Sequence, residues 1–191
     1  MLRGWIFPVL LDCVQDCTGT WGGTAGFGTY YLDIDNDGLP DLFVGQSSNY
    51  GQDQNYLLHH DSVGVFSDIT NGNPLAMYWL LPRGVSWQDV NKDGFVDLFV
   101  SNSGGDSWKK RLMINQGDGT FIDVAPEAGV DFTHWGSGPV FGDIDGDGDL
   151  DLYYIRHGLT SDRFTASASA GNRLYRQDDS WHFTDVTETC G

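Results

Sequence analysis

From Phe27 onward, short runs of apolar and β-branched residues alternate with clusters of Gly, Asp and Asn, a pattern that predicts β-strands joined by tight turns. In the middle of the chain the strands are predicted at Gly84–Val90, Val96–Asn102, Arg111–Gln116 and Thr120–Val124, with Gly117-Asp118-Gly119 turning the last hairpin. The same landmarks return three times: Leu57, Phe66, Asp68, then Leu112, Phe121, Asp123, then Leu174, Phe183, Asp185, with identical internal offsets. A period of this length with four strands per unit matches a β-propeller blade better than the shorter helical repeats. The expected fold is therefore all-β, with three four-stranded antiparallel blades over residues 26–82, 83–136 and 137–191. Residues 1–25 precede them as a Cys-containing linker or edge segment. Propellers have roughly four to eight blades, so three imply an incomplete propeller or part of a larger one. Tyr30, Tyr31, Trp87, Phe99, Phe141 and Tyr153 recur on the strands and are expected to fill the core between blades.

Each unit also carries one acidic loop between its first two strands. The loops read Asp33-Ile-Asp35-Asn-Asp37-Gly38-Leu-Pro-Asp41, Asp89-Val-Asn91-Lys-Asp93-Gly94-Phe-Val-Asp97 and Asp143-Ile-Asp145-Gly-Asp147-Gly148-Asp149-Leu-Asp151, starting 56 and 54 residues apart. Oxygen donors at positions 1, 3 and 5, a carbonyl at 7, a carboxylate at 9 and a turn-permitting Gly at 6 suit Ca²⁺, which takes six to eight oxygens. These are not EF-hands. Position 12 is Val44, Val100 and Tyr154 instead of a bidentate Glu, and the residues after position 9 are strand formers. On charge count the third loop should bind most tightly, and the second, with neutral Asn91 and adjoining Lys92, most weakly.

Composition narrows the class further. The chain has 191 residues, of which 40% are hydrophobic and 14% aromatic, so it is long and apolar enough to fold around a core. The formal charge of -17 is concentrated largely in the three loops, where cations would offset it. Ten basic residues without a cluster speak against nucleic acid. Cys13, Cys17 and Cys190 allow one disulfide and leave one thiol, with no Cys-x-x-Cys pattern for zinc or redox chemistry. Weak all-oxygen calcium sites fill at extracellular calcium levels, which places the chain outside the cell or on its surface. The apolar run Trp5–Leu11 contains Pro8 and lacks a small-residue cleavage pattern, which argues against a signal peptide. No stretch is long enough to span a membrane as a helix.

Two motifs recur in fixed order. The segment Arg83-Gly-Val-Ser-Trp-Gln-Asp-Val-Asn-Lys-Asp-Gly-Phe-Val-Asp-Leu-Phe-Val100 is followed by Arg111-Leu-Met-Ile-Asn-Gln-Gly-Asp-Gly-Thr-Phe-Ile-Asp-Val-Ala-Pro-Glu-Ala-Gly-Val130. Together they resemble the FG-GAP/VCBS repeat, in the variety found in cartilage acidic protein and its bacterial relatives, over about Phe27 to Gly191. The resemblance implies an architecture similar to the integrin α-subunit propeller, with calcium held in the hairpin loop between the first two strands of a blade. Carried over, the ligands are Asp33, Asp35, Asp37, the Leu39 carbonyl and Asp41; Asp89, Asn91, Asp93, the Phe95 carbonyl and Asp97; and Asp143, Asp145, Asp147, the Asp149 carbonyl and Asp151.

The loops between the second and third strands vary from unit to unit: Gln46–Gln54, Ser103–Lys110 and His157–Gly171. Strand alternation puts them opposite the acidic loops, with Tyr50, Trp108, Arg163 and Phe164 as candidate contacts for a protein or glycan. His59, His60, His134, His157 and His182 lack zinc spacing and are read as surface or packed residues. A secreted or surface calcium-binding interaction or adhesion module is the favoured function. The alternative is a structural subunit of an extracellular polymer or filament, built from further blades or by self-association. An enzyme, for example a calcium-dependent polysaccharide lyase, is disfavoured. Only the scattered Tyr50, Lys109, Lys110, His157 and Arg163 are available for it, and carboxylates saturated by a metal are poor general acids.

Overall fold

The computed structural model describes residues 28–45, 55–76, 82–102, 109–133, 136–156 and 171–189. The N-terminal segment, all three cysteines, His134, His157 and the candidate contacts Tyr50, Trp108, Arg163 and Phe164 lie outside them. The described residues form twelve strands: β1 (Gly28–Leu32), β2 (Asp41–Gly45), β3 (Tyr56–Ser62), β4 (Val65–Asp68), β5 (Pro82–Gln88), β6 (Asp97–Asn102), β7 (Arg111–Asn115), β8 (Phe121–Asp123), β9 (Gly136–Gly142), β10 (Asp151–Arg156), β11 (Arg173–Asp179) and β12 (His182–Asp185). They form three antiparallel sheets in simple meander order, β1-β2-β3-β4, β5-β6-β7-β8 and β9-β10-β11-β12. The expected strands of the second unit are found with shifts of one or two residues at their ends. Among the described residues the sheets do not close into a ring.

Alternation along each strand gives every sheet two apolar faces, and the sheets stack through them. Phe43, Leu57, Ile34 and Leu32 of the first sheet pack on Leu98, Val100, Met113 and Phe121 of the second. Phe99, Leu112, Ile114 and Val90 of the second pack on Leu152, Tyr154, Tyr175 and Phe183 of the third. Edge-on aromatic contacts join neighbouring sheets, Phe43 to Trp87 at 5.5 Å and Phe99 to Phe141 at 6.1 Å. One turn of α-helix, α1 (Ala125–Ala128), ends at Gly129 in the left-handed conformation (φ 76°) and buries Ala125 and Ala128 in the second interface, and a 3-10 turn covers Pro74–Ala76.

Two buried amides staple the stack. Asn115 Nδ2 on β7 donates to the Ile34 carbonyl of the first loop at 2.7 Å, and Gln177 Nε2 on β11 donates to the Val90 carbonyl of the second at 3.0 Å. Both side chains are almost fully buried, so each satisfies a loop carbonyl that would otherwise be desolvated without a partner.

The aromatic set expected in the core divides. Trp87, Phe99 and Phe141 belong to the interfaces, but Tyr31 is 44% exposed and Tyr153 41%. They lie on the outer faces of the first and third sheets, where no following sheet packs among the described residues. The second residue of each loop shows the same contrast: Ile34 and Val90 are buried, whereas Ile144 is 53% exposed.

Lys110, assigned to a solvent-facing loop by the sequence, is instead buried. Its Nζ lies 5.8 and 5.7 Å from the ring centroids of Phe132 and Tyr154, and burial pulls its pKa down to about 8. Between about pH 8 and the ordinary lysine value the unfolded chain holds a proton that the folded chain has released. Stability therefore gains a rising component across that window. Denaturant melts at stepped pH should show this slope in the wild type and its loss in Lys110→Met.

Candidate metal centres

The three acidic loops fold alike because their backbone demands and their side-chain acceptors are in register, except that Asp143 also accepts from Gly146 where Asp33 and Asp89 accept from Asp37 and Asp93. Position 6 requires a left-handed residue, and Gly38, Gly94 and Gly148 supply it at φ 87°, 94° and 92°. Position 1 then turns a carboxylate back onto the loop: Asp33, Asp89 and Asp143 accept the N–H of Gly38, Gly94 and Gly148 at 2.9, 2.9 and 3.1 Å. Positions 3 and 5 each accept the N–H two residues on, as in Asp35 from Asp37 (3.2 Å) and Asp37 from Leu39 (2.7 Å). The second and third loops repeat these bonds through Asn91, Asp93, Asp145 and Asp147.

Position 9 differs from the rest. Asp41, Asp97 and Asp151 are buried, and each spends one oxygen on the N–H of loop position 2 and the other on the third strand. Asp41 accepts from Ile34 and His60, Asp97 from Val90 and Asn115, and Asp151 from Ile144 and Gln177, all at 2.8–2.9 Å. Read from sequence as a ligand, this carboxylate also ties the loop to its sheet. Burial raises the Asp41 pKa and pushes Asp97 up to about 6, against the pull of those backbone bonds.

The donor set fits a hard cation. Carboxylate oxygens of Asp33, Asp35 and Asp41 lie within 4.8 Å of one another, as do those of Asp143, Asp145 and Asp151. An ionised carboxylate has about four lone-pair sites, so two backbone bonds at position 9 leave room for a metal. In the second loop the Asn91 amide donates to Asp93 Oδ2 at 2.8 Å, which lowers the charge density there. Asn91→Asp should tighten that site in a calcium titration.

The family profile of the FG-GAP-like repeat matches residues 33–100 and 89–154, more than half of the chain. The protein belongs to the FG-GAP-like repeat family. Each matched span runs from one acidic loop through the second strand of the following sheet, so the FG-GAP-like signal rests on the loops and the sheets together. Cartilage acidic protein 1 of Homo sapiens and of Mus musculus is 40% identical over 73 residues, 38% of this chain. The aligned part spans 11% of the length of those relatives. Three four-stranded antiparallel sheets stacked in series, two of them spanned by FG-GAP-like matches, agree with the β-propeller-blade architecture expected from the repeat.

Two contacts invisible in a single repeat connect the loops. Asn36 and Lys92, at position 4, adopt left-handed backbone (φ 61° and 60°) and reach the next loop. Asn36 Nδ2 donates to the Gly94 carbonyl at 2.9 Å, and Lys92 Nζ meets Asp149 Oδ1 at 2.5 Å. The Lys92 charge therefore bears on the third loop, not on the second set beside which it stands in the sequence. Lys92→Ala should tighten calcium at the third loop and leave the second nearly unchanged, as read by site-resolved titration.

His59, read from sequence as a surface or packed residue without a metal role, is brought by the structure to the first loop. Its Nε2 lies 3.0 Å from Asp35 Oδ2 and 4.0 Å from Asp37 Oδ2. The signal was available only as a sheet register: the β2–β3 pairing folds residue 59 back beside a loop 24 residues earlier.

Proposed function

We propose that this protein is an extracellular calcium-binding β-propeller module for interaction and adhesion, with one Ca²⁺ in each acidic loop and a protein or glycan partner on the opposite face. The observation that carries the reading is the threefold repetition of one loop wiring, ending each time in a buried carboxylate that still has acceptor capacity. The assigned ligands are those of the carried-over set, from Asp33 to Asp151. Calcium there neutralises crowded carboxylates and rigidifies the rim of each sheet, while binding falls to the variable loops. The family supports an interaction role over an enzymatic one. The deciding experiment is isothermal titration of chelator-treated protein with Ca²⁺: three ions per chain are expected, and fewer than two would overturn the assignment.

A second reading, a structural subunit that assembles through its sheets, is favoured by one observation. Val140, Ile144, Tyr153 and Ile155 are 41–53% exposed on the outer face of the third sheet. In the first two sheets the equivalents Ile34, Phe43, Val90 and Phe99 are buried by the next sheet. We assign this face to a second copy of the chain, stacked head to tail against its first sheet, where Tyr31 is exposed. Light scattering in millimolar calcium should show assemblies that Val140→Lys with Tyr153→Lys disperses. A wild-type monomer at every concentration would defeat this reading and leave the calcium assignment untouched.

A further inference from the structure

We propose that the first loop, alone of the three, is a mixed nitrogen–oxygen site for a first-row transition ion of the zinc class, ligated by Asp35, Asp37 and His59 Nε2 and held in place by Asp61. The ligand atoms of Asp35, Asp37 and His59 all lie within 4.8 Å of one another. His59 Nδ1 is 2.9 Å from Asp61 Oδ1, and the Ser67 hydroxyl donates to the other oxygen of Asp61. With Nδ1–H donating to Asp61, the imidazole can give up the Nε2 proton that it shares with Asp35 and offer that lone pair to a cation between the two loop carboxylates. A carboxylate that orients a histidine whose other nitrogen meets further ligands is the recurring support of transition-metal sites. Imidazole selects such ions over calcium, which takes oxygen.

The other two repeats act as internal controls. The residue equivalent to His59 is Ile114 in the second sheet and Arg176 in the third. The third sheet keeps the rest of the device, with Thr184 donating to Asp178 at 2.5 Å and Asp178 accepting from Arg176 at 2.6 and 3.0 Å. A guanidinium there offers charge but no lone pair, so that position cannot ligate a cation. In the second sheet Ile114 is part of the buried interface. The nitrogen donor is thus specific to one loop, while the carboxylates are common to all.

The site shares Asp35 and Asp37 with the calcium reading of this loop, so the two ions compete there: calcium fills the loop when no transition ion is present, and zinc displaces it. Metal-free wild type, His59→Gln and Asp61→Asn would each be titrated with Zn²⁺ by calorimetry, and with Co²⁺ by its visible absorption. The wild type should bind one zinc equivalent that His59→Gln lacks, with a matching loss of the cobalt band, and Asp61→Asn should weaken that equivalent about 10- to 100-fold. Zinc at any other histidine or at the cysteines appears equally in wild type and His59→Gln, so the difference between them decides. Equal zinc affinity and equal cobalt spectra in the two proteins, or no zinc equivalent in the wild type, would overturn the proposal. Calcium titration of His59→Gln in parallel tests the calcium reading separately, because the second and third loops contain no part of this site.

Discussion

If the acidic loops hold calcium, stripping it from the protein should lower the melting temperature by on the order of 20 °C. An ion present at a hundredfold excess over its Kd contributes about 2.7 kcal/mol per site, and three loops act on one stack of sheets. For a domain of this size each kilocalorie moves the midpoint by about 2–4 °C. Total stabilities are only about 5–15 kcal/mol, so the metal-free chain should stand close to its unfolding threshold at body temperature. Electrostatics sets the direction. In the first and third loops three carboxylates gather within 4.8 Å of one another, and without a cation those charges repel. Differential scanning calorimetry in calcium and in chelator is the measurement. A midpoint that moves by less than about 3 °C, which at that slope is roughly one kilocalorie, would show that the loops are held by their hydrogen bonds alone.

Replacing Asp97 with alanine destabilises the protein by about 3–5 kcal/mol, and does so in chelator as well as in calcium. Asp97 is buried, and its two oxygens accept the N–H groups of Val90 and Asn115. Truncation leaves both donors desolvated without an acceptor, at roughly 1–3 kcal/mol each. It also frees Asn115, whose amide staples the second sheet to the Ile34 carbonyl of the first. Asp93→Ala is the informative partner. Asp93 is exposed and accepts only within its own loop, from Phe95 N–H and the Asn91 amide, so in chelator its loss should cost much less than that of Asp97 and in calcium it should act mainly through the metal. Urea melts of both variants, with and without calcium, separate the two roles. Equal losses for Asp97→Ala and Asp93→Ala in chelator would mean that position 9 has no part in holding the loop to its sheet.

The local features of this protein were determined by the sequence alone, because each is encoded within a few contiguous residues. Alternation fixed the strands to within one or two residues. The spacing of Asp and Gly in the loops fixed their turn, since positions 1, 3 and 5 bond to N–H groups only two to five residues away. Identical offsets in three copies fixed the repeat and therefore the family. What the tertiary structure decided is everything that depends on one repeat meeting another. The staples of Asn115 and Gln177 span 81 and 87 residues, and no local pattern distinguishes such an amide from an ordinary strand residue. Lys92 reads as a neighbour of the second loop until stacking carries its Nζ to Asp149. The helical turn Ala125–Ala128 is too short to show a period, and it forms where two sheets leave a gap that small side chains fill. Tyr31 and Tyr153 occupy core positions by repeat, yet burial needs a sheet on the far side. His59 has the same cause, because a side chain becomes part of a site only when strand pairing sets which loop it faces.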